Sequence, residues 1–222
     1  MGDSMSLVIP GATSGSVTID APAVAGTTAL TLPSSTGTLA LTSQIQNPAM
    51  VLLSTQTASS SATIDFTSIA NTTYNSYILQ IDNALPASNG VYLIVRFSVG
   101  GTFQTTNYQS NVFRWTTSGS GVSGDAFGTG QSFNLFAGDS QANSANAPTG
   151  QGGATVNISI SNCAQTSTAK RITWAGAYYG STFIANTGSG GYIPATNSVD
   201  GFRILYSSGN ISTGTFKLYG II

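Results

Sequence analysis

The chain has 222 residues, of which only 6% are Asp, Glu, Lys or Arg, and its formal net charge is −1. So few basic residues argue against nucleic-acid binding by counterion release, which requires many Lys and Arg side chains. The sequence contains no His and one cysteine, Cys163, which excludes Ser-His-Asp triads, the usual zinc sites and intrachain disulfides.

The hydrophobic content indicates a folded protein, and the scarcity of charge indicates that part of its surface is covered by other protein. Hydrophobic residues make up 41% of the chain, enough to form a core. A soluble monomer usually carries many surface charges of both signs, whereas this chain offers Ser, Thr, Asn and Gly. We therefore expect it to pack against copies of itself. No run approaches the roughly 20 apolar residues that span a bilayer, and Asp3 stands where a signal peptide would be basic, so we expect no membrane partner.

The first 46 residues form a separate compositional unit, without any aromatic or basic residue. Apolar residues alternate there at period two, which gives short strands with one apolar face. Such two-stranded pieces are marginal in water, so we predict an extended anchoring arm over residues 1–46 whose strands are completed by another polypeptide. The predicted assembly interface consists of Val17, Ile19, Leu30, Leu32, Leu39 and Leu41.

Residues 47–222, which follow the boundary at Pro48, show strand patterns and almost no helix pattern. The clearest strand is 91–99, in which every second residue is apolar. Asn83–Gly90 resembles a hairpin turn, and the Gly- and Ser-rich stretch 119–153 is interpreted as long loops. Strands are also predicted at 77–81, 156–160, 171–174, 202–206 and 215–222. The predicted fold is all-β: a jelly-roll-like β-sandwich preceded by an extended N-terminal arm with short strands.

Motifs for catalysis or cofactors are weak. Gly119, Gly121 and Gly124 match G-x-G-x-x-G, but no helix pattern follows, so a loop is favoured over a dinucleotide site. Asp125 and Asp139 lack EF-hand spacing, and solvated carboxylates are favoured over a calcium site, which stays open. A glycosidase pair of two Asp residues is the least favoured alternative. We expect no enzymatic activity and no cofactor.

Five aromatic residues could stack on sugars, although core packing or subunit contact is the favoured interpretation. Tyr178 and Tyr179 are adjacent in a predicted strand, so their side chains point to opposite faces and one should be exposed or at an interface. Cys163 ends a strand-like run without a His or acidic neighbour, which favours a buried, inert thiol. The five aromatic candidates are Trp115, Trp174, Tyr178, Tyr179 and Tyr192.

Two segments carry a family resemblance. The run 14–41, with Ala-Pro-Ala-Val-Ala-Gly followed by Leu-Thr-Leu-Pro and Thr-Gly-Thr-Leu, resembles a segment of tailed-phage virion proteins, especially those of marine and freshwater phages. The ending 201–220 is similar to β domains of phage fibre and head-decoration proteins. The resemblance implies a homotrimer on the virion surface, made in the host cytoplasm, without catalytic residues.

Two functions agree with this resemblance. The first is a trimeric capsid decoration or cement protein whose arm binds the major capsid protein or another virion protein. The alternative is a short tail or head fibre whose β domain binds a host receptor, with a host surface glycan as a further partner. A single domain leaves no room for a long shaft, which favours the first function.

Overall fold

The computed structural model describes residues 7–19, 49–69, 72–116, 122–136, 152–180, 182–194 and 196–221. The chain divides into two compact units, Met1–Gln46 and Asn47–Ile222. Antiparallel strands make up the regular structure of these residues, and none of them lies in a helix. The all-β prediction is confirmed.

In the first unit, a short hairpin joins β1 (Leu7–Pro10) to β2 (Ser16–Ile19). The Gly11 amide donates a hydrogen bond to the Gly15 carbonyl at 2.9 Å, and Gly15 has a φ of 76°, a value that favours glycine. The alternation at Val17 and Ile19 predicted β2, whereas β1 was not predicted.

Thirteen strands lie in the described ranges of the second unit. In chain order they are β3 (Met50–Ser61), β4 (Ile64–Thr67), β5 (Ser76–Pro86), β6 (Leu93–Val99), β7 (Thr102–Phe103), β8 (Tyr108–Thr116), β9 (Val122–Gly130), β10 (Phe133–Asn134), β11 (Ala154–Ser161), β12 (Lys170–Tyr179), β13 (Phe183–Tyr192), β14 (Gly201–Tyr206) and β15 (Ile211–Ile221).

These strands form two sheets. The larger has eight strands in the order β3-β15-β5-β11-β12-β13-β8-β9, and the smaller has the order β10-β6-β14-β4, with β7 also paired to β6. Buried apolar side chains of both sheets form one core cluster, as in the predicted β-sandwich.

Two local predictions were wrong. The stretch 119–153 is not all loop, because β9 and β10 lie within it. The strands that flank Asn83–Gly90 are not hairpin partners, because β5 belongs to the larger sheet and β6 to the smaller one. The strand β5 is already paired on both sides, with β15 and β11, so the chain must leave that sheet after Pro86.

Phe97 of β6 lies at the centre of the core. Its ring contacts four aromatic rings at centroid distances of 5.1–6.1 Å, two of them on β8 and β13 of the opposite sheet. Its amide donates a 2.8 Å hydrogen bond to the Tyr108 hydroxyl, and the Tyr206 hydroxyl donates a 2.6 Å bond to the Ala84 carbonyl. Tyr108 and Tyr206 therefore satisfy their polar ends across the two sheets, whereas the hydroxyl of the buried Tyr77 has no hydrogen-bond partner among the described residues.

Candidate binding surfaces

The hairpin of the first unit presents apolar side chains to solvent. In its register Leu7 is opposite Ile19, and Ile9 is opposite Val17. Residues that are opposite one another, or two apart on one strand, share a face, so Leu7, Ile9 and Ile19 lie together. Their side chains are 42–60% exposed.

The hairpin contains two of the six predicted interface residues, Val17 and Ile19. The other four lie outside the described residues: Leu30, Leu32, Leu39 and Leu41. Sequence reasoning missed Leu7 and Ile9, although the run Leu7-Val-Ile9 next to a Pro-Gly turn was a usable signal. Covering a large aliphatic side chain contributes about 1.5–3 kcal/mol, so this face has the chemistry of a protein-docking surface.

A second surface lies on the outer side of the larger sheet. Successive side chains of a strand alternate between the core and solvent. Those of three neighbouring strands, β8, β13 and β12, follow this pattern. The outward residues are Gln109, Asn111, Phe113 and Trp115 on β8, Gly191, Ser189, Thr187 and Ala185 on β13, and Arg171, Thr173, Ala175 and Ala177 on β12, aligned in that order across the strands.

The outward side chains of β13 are small, and those of its neighbour β8 are large along the whole strand. On the other side, β12 rises above β13 only at Arg171 and Thr173, so β13 is the floor of a groove with two walls at its Gly191 end and one wall, β8, beyond it. At the Gly191 end there is a depression of about 380 Å³. Its rim includes Gln109 and Asn111 from β8 and Arg171 and Thr173 from β12. Because Gly191 is the direct partner of both Gln109 and Arg171, two long polar side chains flank a position without a side chain.

The glycines of β13 differ in whether neighbouring atoms leave room for a side chain. A Cβ on Gly190 would lie 2.5 Å from the Gln109 carbonyl oxygen and 2.9 Å from the Phe133 ring, and a Cβ on Gly188 would overlap the Trp174 ring. A Cβ on Gly191 would meet only the Lys170 carbonyl oxygen, at 3.6 Å. Core packing therefore explains Gly188 and Gly190, whereas the fold places no steric demand on Gly191.

The opposite end of the groove is aromatic. The side chains of Phe113, Trp115 and Phe183 are 44–52% exposed. The Phe113 ring lies over Gly124 of β9, where a Cβ would be 2.9 Å from the ring. Phe183 makes an edge contact with Tyr179 at a centroid distance of 5.3 Å. Large aromatic faces are thus held in place while remaining accessible.

The five predicted aromatic candidates are divided between the two sides of the sheet. Tyr178 is buried and Tyr179 is half-buried, which confirms the prediction that these neighbours point to opposite faces. Trp174 and Tyr192 are buried, and the Trp174 indole donates a 3.1 Å hydrogen bond to a backbone carbonyl. Only Trp115 and Tyr179 of the five are therefore available for contact with a ligand.

Arg171 is the charged residue of the groove. It is exposed, and no hydrogen bond or ion pair joins its side chain to another residue in the part of the chain that the structure describes. Arg203 is a contrast: it binds Asp65 through two contacts of 2.6 and 2.8 Å and lies 4.0 Å over the Phe103 ring. This hydrogen bonding raises the pKa of Arg203. Arg171 thus retains its full capacity to bind an anion.

The single cysteine is buried, as predicted. Burial raises the pKa of Cys163 to about 12, an effect that the nearby Lys170 ammonium partly offsets. Lys170 is itself buried; desolvation lowers its pKa, and its ammonium donates to the Gln165 carbonyl at 2.6 Å. A thiol protonated at neutral pH is a poor nucleophile.

The remaining sequence motifs yield no site. Gly119, Gly121 and Asp139 lie outside the described residues, and Gly124 is in a strand that begins at Val122, where a dinucleotide motif would need a helix. Within the described ranges, no three His, Cys, Asp or Glu side chains are grouped to hold a metal ion. No helix there could cross a membrane.

Comparison of the chain with protein-family models, with curated proteins and with solved structures gave no match. Two surfaces of the protein have the properties of binding sites, namely the apolar face of the hairpin and the groove over β13.

Proposed function

We propose that the protein is a non-enzymatic structural component of a phage virion, a trimeric capsid decoration or cement protein that docks through its N-terminal unit. The observation that carries the proposal is the exposed apolar face of the hairpin formed by Leu7, Ile9 and Ile19. A two-stranded hairpin cannot bury such a face by itself, so a partner protein that covers it would stabilise both.

The strand order of the second unit supports a jelly roll, an architecture that occurs in viral capsid domains. Strands β3-β15-β5-β11 are adjacent in one sheet and β4-β14-β6-β10 in the other. Of these eight strands, successive ones lie in opposite sets except β6 and β10, which are both in the second set; this is the connectivity expected of two Greek keys. Of the other strands, β12, β13, β8 and β9 extend the first sheet, and β7 pairs with β6.

The edge of the larger sheet supports contact between copies. Strand β3 has twelve residues without a charge or a proline, and within the described ranges it pairs only with β15. A long, uncharged edge strand offers free backbone amides and carbonyls to another chain. With only 6% charged residues overall, the surface does little to oppose such packing.

Substitution of the hairpin face tests docking directly. In the triple variant Leu7→Thr, Ile9→Thr and Ile19→Thr, threonine preserves strand propensity but removes apolar contact. We expect occupancy on particles stripped of the protein to fall by at least about tenfold, as measured by co-sedimentation.

The matched control is Val8→Thr, which changes an equally exposed residue on the opposite face of the same hairpin. It should leave occupancy unchanged. Full occupancy of the triple variant would show that the contact with the particle lies elsewhere.

The oligomeric state is a separate test. Light scattering from the purified protein should give the mass of three chains, because scarce charge and an open edge strand favour association. A monodisperse monomer at micromolar concentration would contradict the trimer.

A second candidate function is a short tail or head fibre whose β domain binds a host receptor. The exposed aromatic side chains Phe113, Trp115 and Phe183 favour it, because aromatic residues are enriched at binding surfaces. Counting copies on intact particles distinguishes the two: a decoration protein covers the shell, whereas a fibre occurs at a few positions.

A further inference from the structure

We infer that the groove over β13 binds an acidic oligosaccharide, a chain of sugar rings that carries carboxylate groups. This inference deepens the receptor-binding candidate and rests on it, and it is independent of docking through the hairpin. The residues that would bind the sugar are Arg171, Gln109, Asn111, Phe113 and Trp115.

The dimensions of the groove suit an extended chain of rings. At the Gly191 end, Gln109 of β8 and Arg171 of β12 flank β13, so these two walls are about 10 Å apart. From Ala185 to Gly191 the floor runs for six residue steps, about 20 Å along the strand. Because the outward residues of β13 are small, namely Ala185, Thr187, Ser189 and Gly191, ligand rings can lie on this floor beside the large side chains of β8.

The polar end of the groove supplies a charge and hydrogen bonds. A guanidinium has a planar array of donors that matches a carboxylate, and Arg171 has no carboxylate partner among the described residues. Gln109 and Asn111 line the same depression, and their amides can both donate to and accept from sugar hydroxyls. The charge specifies an acidic ligand, and the amides favour one rich in hydroxyl groups.

The aromatic end supplies apolar contact. Phe113 and Trp115 follow Asn111 at every second position on the outer face of β8. The apolar face of a sugar ring can therefore pack on an exposed aromatic ring while hydroxyls and carboxylates of other rings contact the polar end. A ligand that spans the groove would use both kinds of contact at once.

The same face of a second copy is a poorer occupant. The described outward positions of β8, β13 and β12 contain one Arg and no carboxylate. Packing this face on its counterpart would bury Arg171 without a partner, which is strongly unfavourable. An acidic oligosaccharide brings the missing negative charge.

Isothermal titration of the full chain with tetragalacturonic acid, tetramannuronic acid and 3′-sialyllactose, each beside its methyl ester, tests the inference. The ester has the same ring and hydroxyls but no charge. We expect at least one acid to bind, and to bind about 10–100-fold more tightly than its ester, the range for a charged hydrogen-bonding pair.

Two variants locate the site. Arg171→Gln should weaken binding of the acid by a similar factor and leave the ester unaffected. Gly191→Val should abolish binding by filling the depression, with an unchanged melting temperature and light-scattering mass, because the fold leaves open space there. The control Lys217→Gln removes a positive charge from β15 of the same sheet and should bind like the wild type.

The inference is wrong if no acid binds more tightly than its ester, or if Arg171→Gln binds like the wild-type protein. It is also wrong if Gly191→Val lowers the mass of the assembly while no sugar binds, since the face is then a contact between copies. None of these outcomes affects the hairpin test, so the two proposals can be judged separately.

Discussion

The two faces of the larger sheet are built from the same strands but follow different rules. Trp174 points inward from β12 and is 3% exposed, whereas Trp115 points outward from β8 and is 44% exposed. The inner tryptophan has a hydrogen-bond partner for its indole and a glycine, Gly188, that makes room for its ring. The outer face has open space at Gly191 and, among the residues that the structure describes, no partner for the Arg171 side chain. Core packing determines which residues occupy the inner face. The outer face has no such constraint, so its residues can serve binding.

Exchange of each tryptophan for alanine gives the largest expected difference between the faces. Trp174→Ala should lower the free energy of unfolding by about 3–5 kcal/mol, because it removes a large buried side chain and leaves a cavity. Trp115→Ala should cost about 0.5–1 kcal/mol, because much of that ring is already in water.

Urea unfolding followed by circular dichroism measures both values. Trp174→Phe is a useful control, because it keeps an aromatic ring and should recover part of the loss. Equal losses for the two alanine variants would show that the outer face also contributes to the core.

Much of the fold could be predicted from the sequence, because a strand that is buried on one side has apolar residues at every second position. Strand β11 alternates buried and exposed residues, and β6 has an apolar residue at every second position; both were predicted. Strand β13 was not, because its second half, Thr187-Gly-Ser-Gly-Gly191, has low strand propensity. Pairing with β12 on one side and β8 on the other gives β13 its structure, and tertiary pairing of this kind has no local signature.

The groove could not be predicted for a related reason. Gln109, Gly191 and Arg171 are far apart in the sequence and become neighbours only through the strand register. The alternation Gln109-Ser-Asn111-Val-Phe113-Arg-Trp115 was nevertheless present, and it would have placed four large side chains on one face. The hairpin was half predicted: Val17 and Ile19 were identified, but not the strand that pairs with them.

Two adjacent glycines show whether folding constrains the inner face of the sheet and leaves the groove free. Gly190→Ala places a methyl group against the Gln109 carbonyl and the Phe133 ring, and Gly191→Ala places one in open space. We expect urea unfolding to show that Gly190→Ala lowers the free energy of unfolding by about 1–3 kcal/mol, whereas Gly191→Ala stays within about 0.5 kcal/mol of the wild type. Equal destabilisation by both, or a larger loss at Gly191, would show that folding constrains the groove as well.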